Sequence, residues 1–299
     1  MTTLSHLIDR GLIEEHAPLG PLTTYRAGGP ARWLVSVPDR DVLSDVTSTG
    51  IFRDHPVLVL GRGSNLVVSD QGFPGVVLRL GAGFSGIAFD GPEVEAGGAV
   101  PLPRLARASA DRALAGLEFF VGVPGSVGGA VRQNAGCFGS ETRDCLVTAE
   151  VFDLATGELA GLTPDDLDLS YRHSNLEAHH VVTGARFLAE PGDRQTAGAK
   201  IREITRWRRD HQPGGTLNAG SVFKNPEGIS AGELIDSLGL KGLSHGAVSV
   251  STKHANFFVA GPGAKAVDIL ALVEKVKDRV FDATGTMLEV EIQFVGFDS

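Results

Sequence analysis

Two glycine clusters stand where short apolar runs end. The first is Leu60-Gly-Arg-Gly-Ser-Asn-Leu66, directly after Val57-Leu-Val-Leu60. Gly61 and Gly63 let a ligand approach the backbone closely, Ser64 and Asn65 add side-chain donors, and successive N–H groups can form an anion-binding nest. The spacing fits neither common phosphate-loop fingerprint. The sixth position of a G-x-G-x-x-G motif is Leu66 here, and no Gly-Lys-Ser/Thr follows. The loop reads either as a pyrophosphate cradle of another kind or as a tight turn. The second cluster holds five glycines, Gly122, Gly125, Gly128, Gly129 and Gly136. Such density weakens any regular element, yet suits a flat ring or a diphosphate lying against bare backbone; the alternative is a glycine-rich crossover. Arg172, in Tyr171-Arg-His-Ser174, carries a planar fork that matches a carboxylate, or is a surface arginine after a turn. Ser221 offers a hydroxyl, with Asn225 four residues on and expected on the same strand face; a turn hydroxyl is the alternative. Glu289 and Glu291 share one face of a final strand about 7 Å apart. That spacing disfavours double ionisation in a buried setting and means nothing on a wet edge. His173, His211, His245 and His254 show no metal-ligand spacing, and no metal is expected.

The elements that position these residues are short. Val57–Leu60 and Val76–Leu80 are β-branched runs of the kind that form buried strands. Pro101–Leu117 reads as a helix with Leu102, Leu105, Ala106 and Ser109 on one face and Gly116 at its stop. Glu190-Pro-Gly-Asp-Arg194 reads as a linker. The basic helix expected at 199–209, with Lys200, Arg202, Arg206, Arg208 and Arg209, is either a solvated face or a positive rim for a phosphate-bearing ligand. From Ala266 to Phe281, the apolar residues Ile269, Leu272, Val273, Val276 and Val280 make one helical stripe. Strand alternation over Met287–Val295 puts Leu288, Val290, Ile292 and Phe294 on one side and Glu289, Glu291 and Gln293 on the other.

Composition bounds the function. With 27 basic against 36 acidic residues the net charge is −9, opposite to a nucleic-acid footprint. The two cysteines, Cys137 and Cys145, form neither a disulfide framework nor a zinc motif, which favours a reducing compartment. No secretory leader is visible, and no apolar run approaches the roughly 18 residues of a membrane span, so a soluble cytoplasmic protein is expected.

Ordered blocks then give a resemblance. Thr23-Thr-Tyr-Arg-Ala-Gly-Gly-Pro-Ala31, the Gly61 loop, Asp70-Gln-Gly-Phe-Pro-Gly-Val-Val77, Gly122 to Gly136, Ser170-Tyr-Arg-His-Ser174, Asn218 to Pro226, Ala231 to Asp236, Lys253-His-Ala-Asn-Phe257 and Leu288 to Gly296 resemble the UDP-N-acetylenolpyruvoylglucosamine reductase family, often called MurB. The resemblance implies an α+β protein with the vanillyl-alcohol-oxidase/PCMH-like FAD-binding fold in two subdomains plus an α+β substrate-binding domain. The divisions it suggests are 1–80 with 286–299, 81–195, and 196–285. It implies noncovalent FAD, NADPH as hydride donor, and reduction of the enolpyruvyl ether of UDP-N-acetylglucosamine to UDP-N-acetylmuramate in peptidoglycan precursor synthesis. Only four residues separate Pro226 from Ala231, as in the shorter family type, so no lid tyrosine is carried over. Cofactor contacts are expected from Gly61, Gly63, Ser64, Asn65, Gly122, Val123, Gly125, Ser126, Gly128, Gly129, Asn134 and Gly136. The resemblance makes Arg172 the stabiliser of developing negative charge, Ser221 the proton donor and Glu291 a partner of the enediolate-like intermediate, with Asn225 and Arg172 on the substrate.

Two other classes compete. One is a flavin oxidase of the same fold acting on alcohols or aldonolactones. Many of these attach flavin covalently through His or Cys, and Cys137 alone keeps that open. The other is a non-catalytic flavin- or nucleotide-sugar-binding module, which has no need of a proton donor such as Ser221.

Overall fold

Valine-rich runs too short to be helices pair into small sheets, and the glycine clusters fall at their ends. The computed structural model describes residues 3–297; Met1 and Thr2, on which the reading of the leader partly rests, lie outside them. The chain divides into two units: Met1–His16, Arg32–Gly61 and Gly75–Trp207 in the first, and Ala17–Ala31, Arg62–Pro74 and Arg208–Ser299 in the second.

The first unit holds two sheets. One has the order Ile13–Glu15, Ala31–Val37, Phe73–Leu80, Val57–Val59. Its last pair is parallel, with Val57 opposite Val76. Leu60 N–H still donates to Leu78 O at 2.8 Å, so the ladder lasts to the residue before Gly61. The helix Arg40–Ser48, capped by Asp39 onto Val42 N at 3.0 Å, buries Leu43 and Val46 beside this sheet's Val35, Val37, Val76 and Leu78. The other sheet is antiparallel, ordered Leu159–Leu162, Leu146–Asp153, His180–Leu188, Glu93–Gly97, Ile87–Asp90. A second apolar core joins it to the helices Leu102–Ala110 and Val127–Arg132.

Helix bounds differ from expectation for local reasons. The helix expected over Pro101–Leu117 stops at Ala110, because Ala113 takes a left-handed φ of 58° and Leu114–Ala115 pairs with Glu190–Pro191. Residues expected as a linker are therefore held in a ladder. The basic helix runs Arg194–His211 and buries Ala197, Ile201 and Ile204 in the first unit's core. That burial carries the first unit through Trp207.

The second unit is organised by the helix Ala266–Thr284, whose Ile269, Leu272, Val273, Val276 and Val280 are fully buried, as the stripe requires. Gly285 ends it at φ 72°; a left-handed terminal residue favours glycine. Asp70 accepts from the N–H groups of Ala266 and Val267, each at 3.0 Å. A sheet of Ser244–His245, Val248–Val250 and Phe258–Ala260 packs alongside. The expected final strand is regular only over Gln293–Val295, where it runs parallel to Leu66–Val68. Its earlier part keeps the alternation, Leu288 and Ile292 buried and Glu289 exposed. Among the described residues no helix is long and apolar enough to cross a membrane.

Candidate functional site

In the first unit the two glycine clusters meet. An ideal Cβ on Gly61 would lie 2.7 Å from Ser126 Oγ. Ser126 is buried and caps the helix Val127–Arg132, accepting from Gly129 N at 3.4 Å. The adjacent glycines do different work. A Cβ on Gly128 would come within 3.1 Å of Val182 O and 3.2 Å of Gly98 O, so its bareness lets the helix lie on the sheet. Gly129 is exposed, and its Cβ would meet only Ser126 Oγ at 3.6 Å. Gly122 faces Cys137 Sγ at 2.7 Å, and Gly136 faces Ser140 O at 2.5 Å in a hairpin. Val123 is half-buried, and Gly125 O accepts from Leu102 N at 3.1 Å.

Backbone donors accumulate at these loops. No described residue accepts from the N–H groups of Gly61, Arg62, Gly63 or Ser64, nor from those of Gly125 and Ser126. Gly63 and Ser126 are buried, where an N–H left this way is uncommon. Within the first unit Gly61, Gly125 and Ser126 make a donor set suited to a diphosphate. Bare outward backbone at Gly129 suits a ring system. The residues present therefore fit a dinucleotide.

Three of the residues expected at the cofactor also serve the protein's own packing. Gly63 has φ 60°, and its Cβ would sit 2.3 Å from Leu22 O, so the protein itself demands glycine there. Its carbonyl accepts from Thr24 N at 3.0 Å. Asn65 Nδ2 donates to Glu291 O at 3.2 Å, and Asn65 O accepts from Gln293 N at 2.9 Å. Asn134, expected on the cofactor, is fully buried at φ 41°. Its Nδ2 donates to Ser170 O at 3.0 Å and its Oδ1 accepts from Arg143 N at 2.9 Å. The amide thus ties the turn that carries Arg172, through Ser170, to the segment at Arg143.

Arg172 sits at φ 56° in that turn, closed by the Ser170–His173 bridge. Its Nη2 donates to Gly136 O at 3.0 Å, and its guanidinium carbon lies 4.9 Å from the Tyr171 ring centre. The structure thus joins the Tyr-Arg-His-Ser block to the end of the second glycine cluster, a link that the two motifs by themselves do not reveal.

In the second unit Ser221 and Glu291 come together. The segment around Ser221 is not the strand expected; it makes isolated bridges, Ser221 to Phe257 and Phe223 to Val290. Glu291 N–H donates to Val222 O at 2.8 Å, so Glu291 is held against the residue that follows Ser221. Asn225 does not share a strand face with Ser221. Its Oδ1 accepts from Ala231 N at 3.1 Å, at the start of the helix Ala231–Ser237. Glu289 is exposed and pairs with Lys224 Nζ at 2.6 Å. The expected sharing of one proton between Glu289 and Glu291 therefore lacks its buried partner.

Sequence reasoning missed two buried polar residues here. Asn256 holds Phe223 by both amide atoms, with Oδ1 accepting from its N–H at 2.9 Å and Nδ2 donating to its carbonyl at 2.8 Å. Tyr25 donates to Phe258 O at 3.2 Å, and burial holds its phenol far above the usual range. Both lie inside the matching blocks, but polar groups that serve only the backbone carry no chemical signature in sequence.

The remaining titratable groups point elsewhere. Burial, with Asp144 adding to it, pushes the Cys145 thiol up to about 12, and Cys137 Sγ donates to Phe119 O at 3.1 Å. Burial, helped by Lys241, lowers His254. Outside the expected histidines, Asp153, His179 and His180 bring ligand atoms within 4.8 Å of one another. His180 Nδ1 accepts from Glu177 N at 3.0 Å, which leaves the proton on Nε2, the reverse of a metal-binding tautomer.

A mixed α/β scaffold with two facing glycine loops and unspent backbone donors defines an FAD-binding protein of the vanillyl-alcohol-oxidase type. Residues 35–163 match a model described as FAD binding domain. Wild-type Phl p 4.0202, a glucose dehydrogenase, shares the fold at TM-score 0.50 and 13% identity, over 70% of this chain and 49% of its own. Residues 212–295 match the carboxy-terminal domain of UDP-N-acetylenolpyruvoylglucosamine reductase. Proteins of that name from Erythrobacter litoralis and Methylorubrum extorquens are 42% and 43% identical, over 96% and 97% of this chain and 88% and 94% of theirs. The crystal structure of the corresponding reductase (MurB) from Thermus caldophilus matches at TM-score 0.82 and 37% identity, over 95% of this chain and 98% of that one. The chain belongs to the UDP-N-acetylenolpyruvoylglucosamine reductase family.

Proposed function

We propose that the chain is a cytoplasmic, FAD-dependent enzyme that reduces enolpyruvyl-UDP-N-acetylglucosamine to UDP-N-acetylmuramate with NADPH, for peptidoglycan precursor synthesis. The observation that carries this reading is the pairing of Gly61 with Ser126, where no described residue accepts from the N–H groups of Gly61, Gly125 or Ser126. Family membership supplies the substrate. Cys137 and Cys145, unlinked, support a reducing location. The three separate apolar cores support a division into two FAD-binding subdomains and a substrate domain.

FAD, held against the Gly61 and Ser126 backbone, would supply hydride transfer from NADPH to one vinyl carbon of the substrate. The protein's task is to stabilise charge and supply a proton. Arg172 stabilises the carboxylate as negative charge develops on it; its Nη2 is held by Gly136 O. Ser221 Oγ gives its proton to the other vinyl carbon and regains one from water. A hydroxyl is a weak acid, but an enolate carbon is a strong base, and proximity offsets much of the difference. Glu291, fixed through its backbone to Val222 and Asn65, supports the enediolate-like intermediate. Asn225, anchored at Ala231, contributes to substrate binding. A bare dinucleotide binder has no use for a proton donor.

The test is spectroscopic. The purified protein should show a flavin spectrum that bleaches with NADPH and returns only when the enolpyruvyl nucleotide is added without oxygen. A reduced flavin that ignores this substrate would refute the assignment.

A further inference from the structure

We propose that Asn256 is a positioning residue for the reduction, setting where Ser221 and Glu291 stand relative to one another; this rests on the role given to Ser221 above. Asn256 is buried and makes three hydrogen bonds to Val222–Phe223. Its own carbonyl accepts from Val222 N at 2.9 Å, its Oδ1 takes the Phe223 N–H, and its Nδ2 caps the Phe223 carbonyl. The Val222 carbonyl is taken by Glu291 N at 2.8 Å, and Lys224 N donates to Glu289 O at 2.9 Å. Every backbone polar group of Val222 and Phe223 is thereby satisfied, from Asn256 on one side and from Glu291 on the other.

This arrangement stands in place of a regular strand. Gly220, at φ 78°, turns the chain just before Ser221, and the segment makes only isolated bridges. The Asn256 side chain adds a further rung at Phe223. The step it serves adds a hydride, from NADPH by way of FAD, to one vinyl carbon and a proton from Ser221 Oγ to the other. The serine oxygen is reprotonated by water. Reduction of flavin by NADPH needs no such proton, so loss of the rung should leave that half-reaction alone.

Asn256→Asp supplies the test. The introduced carboxylate can still accept from Phe223 N–H, but its second oxygen faces the Phe223 carbonyl without a proton to donate. At neutral pH, substrate-driven flavin reoxidation should slow about 10- to 100-fold, the order expected of a misplacement near 1 Å. Flavin content and its reduction by NADPH should hold. At acid pH the introduced carboxyl gains its proton, the donor returns, and reoxidation should recover toward wild type. In a Ser221→Ala background, N256D should slow reoxidation little further, because both act on one proton transfer. Unchanged reoxidation in N256D, equal slowing of both half-reactions, or full additivity with S221A would overturn the proposal. If N256D yields no folded protein, Asn256→Gln, which displaces the same amide by one methylene, carries the same measurements. Failure of both to fold would make the residue purely structural and refute the inference. S221A alone separates the two claims: if it leaves reoxidation intact, the reading of Ser221 fails, whereas S221A slow with N256D normal removes only the role of Asn256.

Discussion

Gly129 and Gly63 look equivalent in sequence, each a glycine in a motif expected at the cofactor, yet the structure predicts opposite outcomes for them. Gly129 lies inside the helix Val127–Arg132, and its Cβ would meet nothing nearer than Ser126 Oγ at 3.6 Å. Alanine there should stabilise the flavin-free protein by about 0.5–1 kcal/mol, since glycine is a poor helix residue. On a chain of this size that raises Tm by roughly 1–4 °C. If the isoalloxazine or diphosphate lies against that bare backbone, the same methyl overpacks the holoprotein. A misfit of about 1–3 kcal/mol weakens FAD roughly 5- to 150-fold, and Gly129→Val should abolish binding. Gly63→Ala should act before any cofactor arrives. A residue other than glycine at φ 60° is strained by about 1–3 kcal/mol, and its Cβ would stand 2.3 Å from Leu22 O, so the backbone must move. Differential scanning fluorimetry of the flavin-stripped proteins, followed by FAD titration, separates the cases. A destabilised flavin-free G129A, or one that binds FAD like wild type, would show that Gly129 does not face the cofactor.

Further outcomes follow from the same geometry. Ser221→Ala should bleach with NADPH at close to the normal rate, while reoxidation by substrate slows about 10²–10⁴-fold; slowed reduction with normal reoxidation would contradict the assigned role, and Ser221→Cys should recover part of the rate. Arg172→Lys keeps the charge but loses the fork held at Gly136 O, and stopped-flow absorbance should place its defect in the reoxidation step too. Acid precipitation should release all the flavin into the supernatant, whereas flavin retained on a Cys137 peptide would signal covalent attachment. Asp70→Ala removes the carboxylate that accepts from Ala266 and Val267 and should cost about 1–2 kcal/mol in urea unfolding, the usual loss for a helix cap; an unchanged midpoint would mean water replaces it fully.

The sequence by itself determined the class of chemistry and the family. Glycine clusters after apolar strands, Arg172, Ser221 and Glu291 are signals of residue type, and type is what a sequence displays. It also determined the elements with strong periodicity, above all the buried stripe of Ala266–Thr284. Only the tertiary structure decided which glycines the protein's own packing demands. Gly128 and Gly129 are neighbours, yet one lies against Val182 O and the other faces outward. The strand expected through Ser221 and Asn225 also dissolved, because Gly220 turns the chain and Asn256, from far along the sequence, provides the rung that a ladder would have provided. The early end of the helix that starts at Leu102 depended likewise on a partner, Glu190–Pro191, outside any local window. Local propensity acts within a turn or two of the chain, whereas close backbone approach and amide-to-backbone clamps are set by residues brought together from distant parts of it. An asparagine that completes a backbone rung has the same composition as one that touches a ligand, and only its neighbours in space tell the two apart.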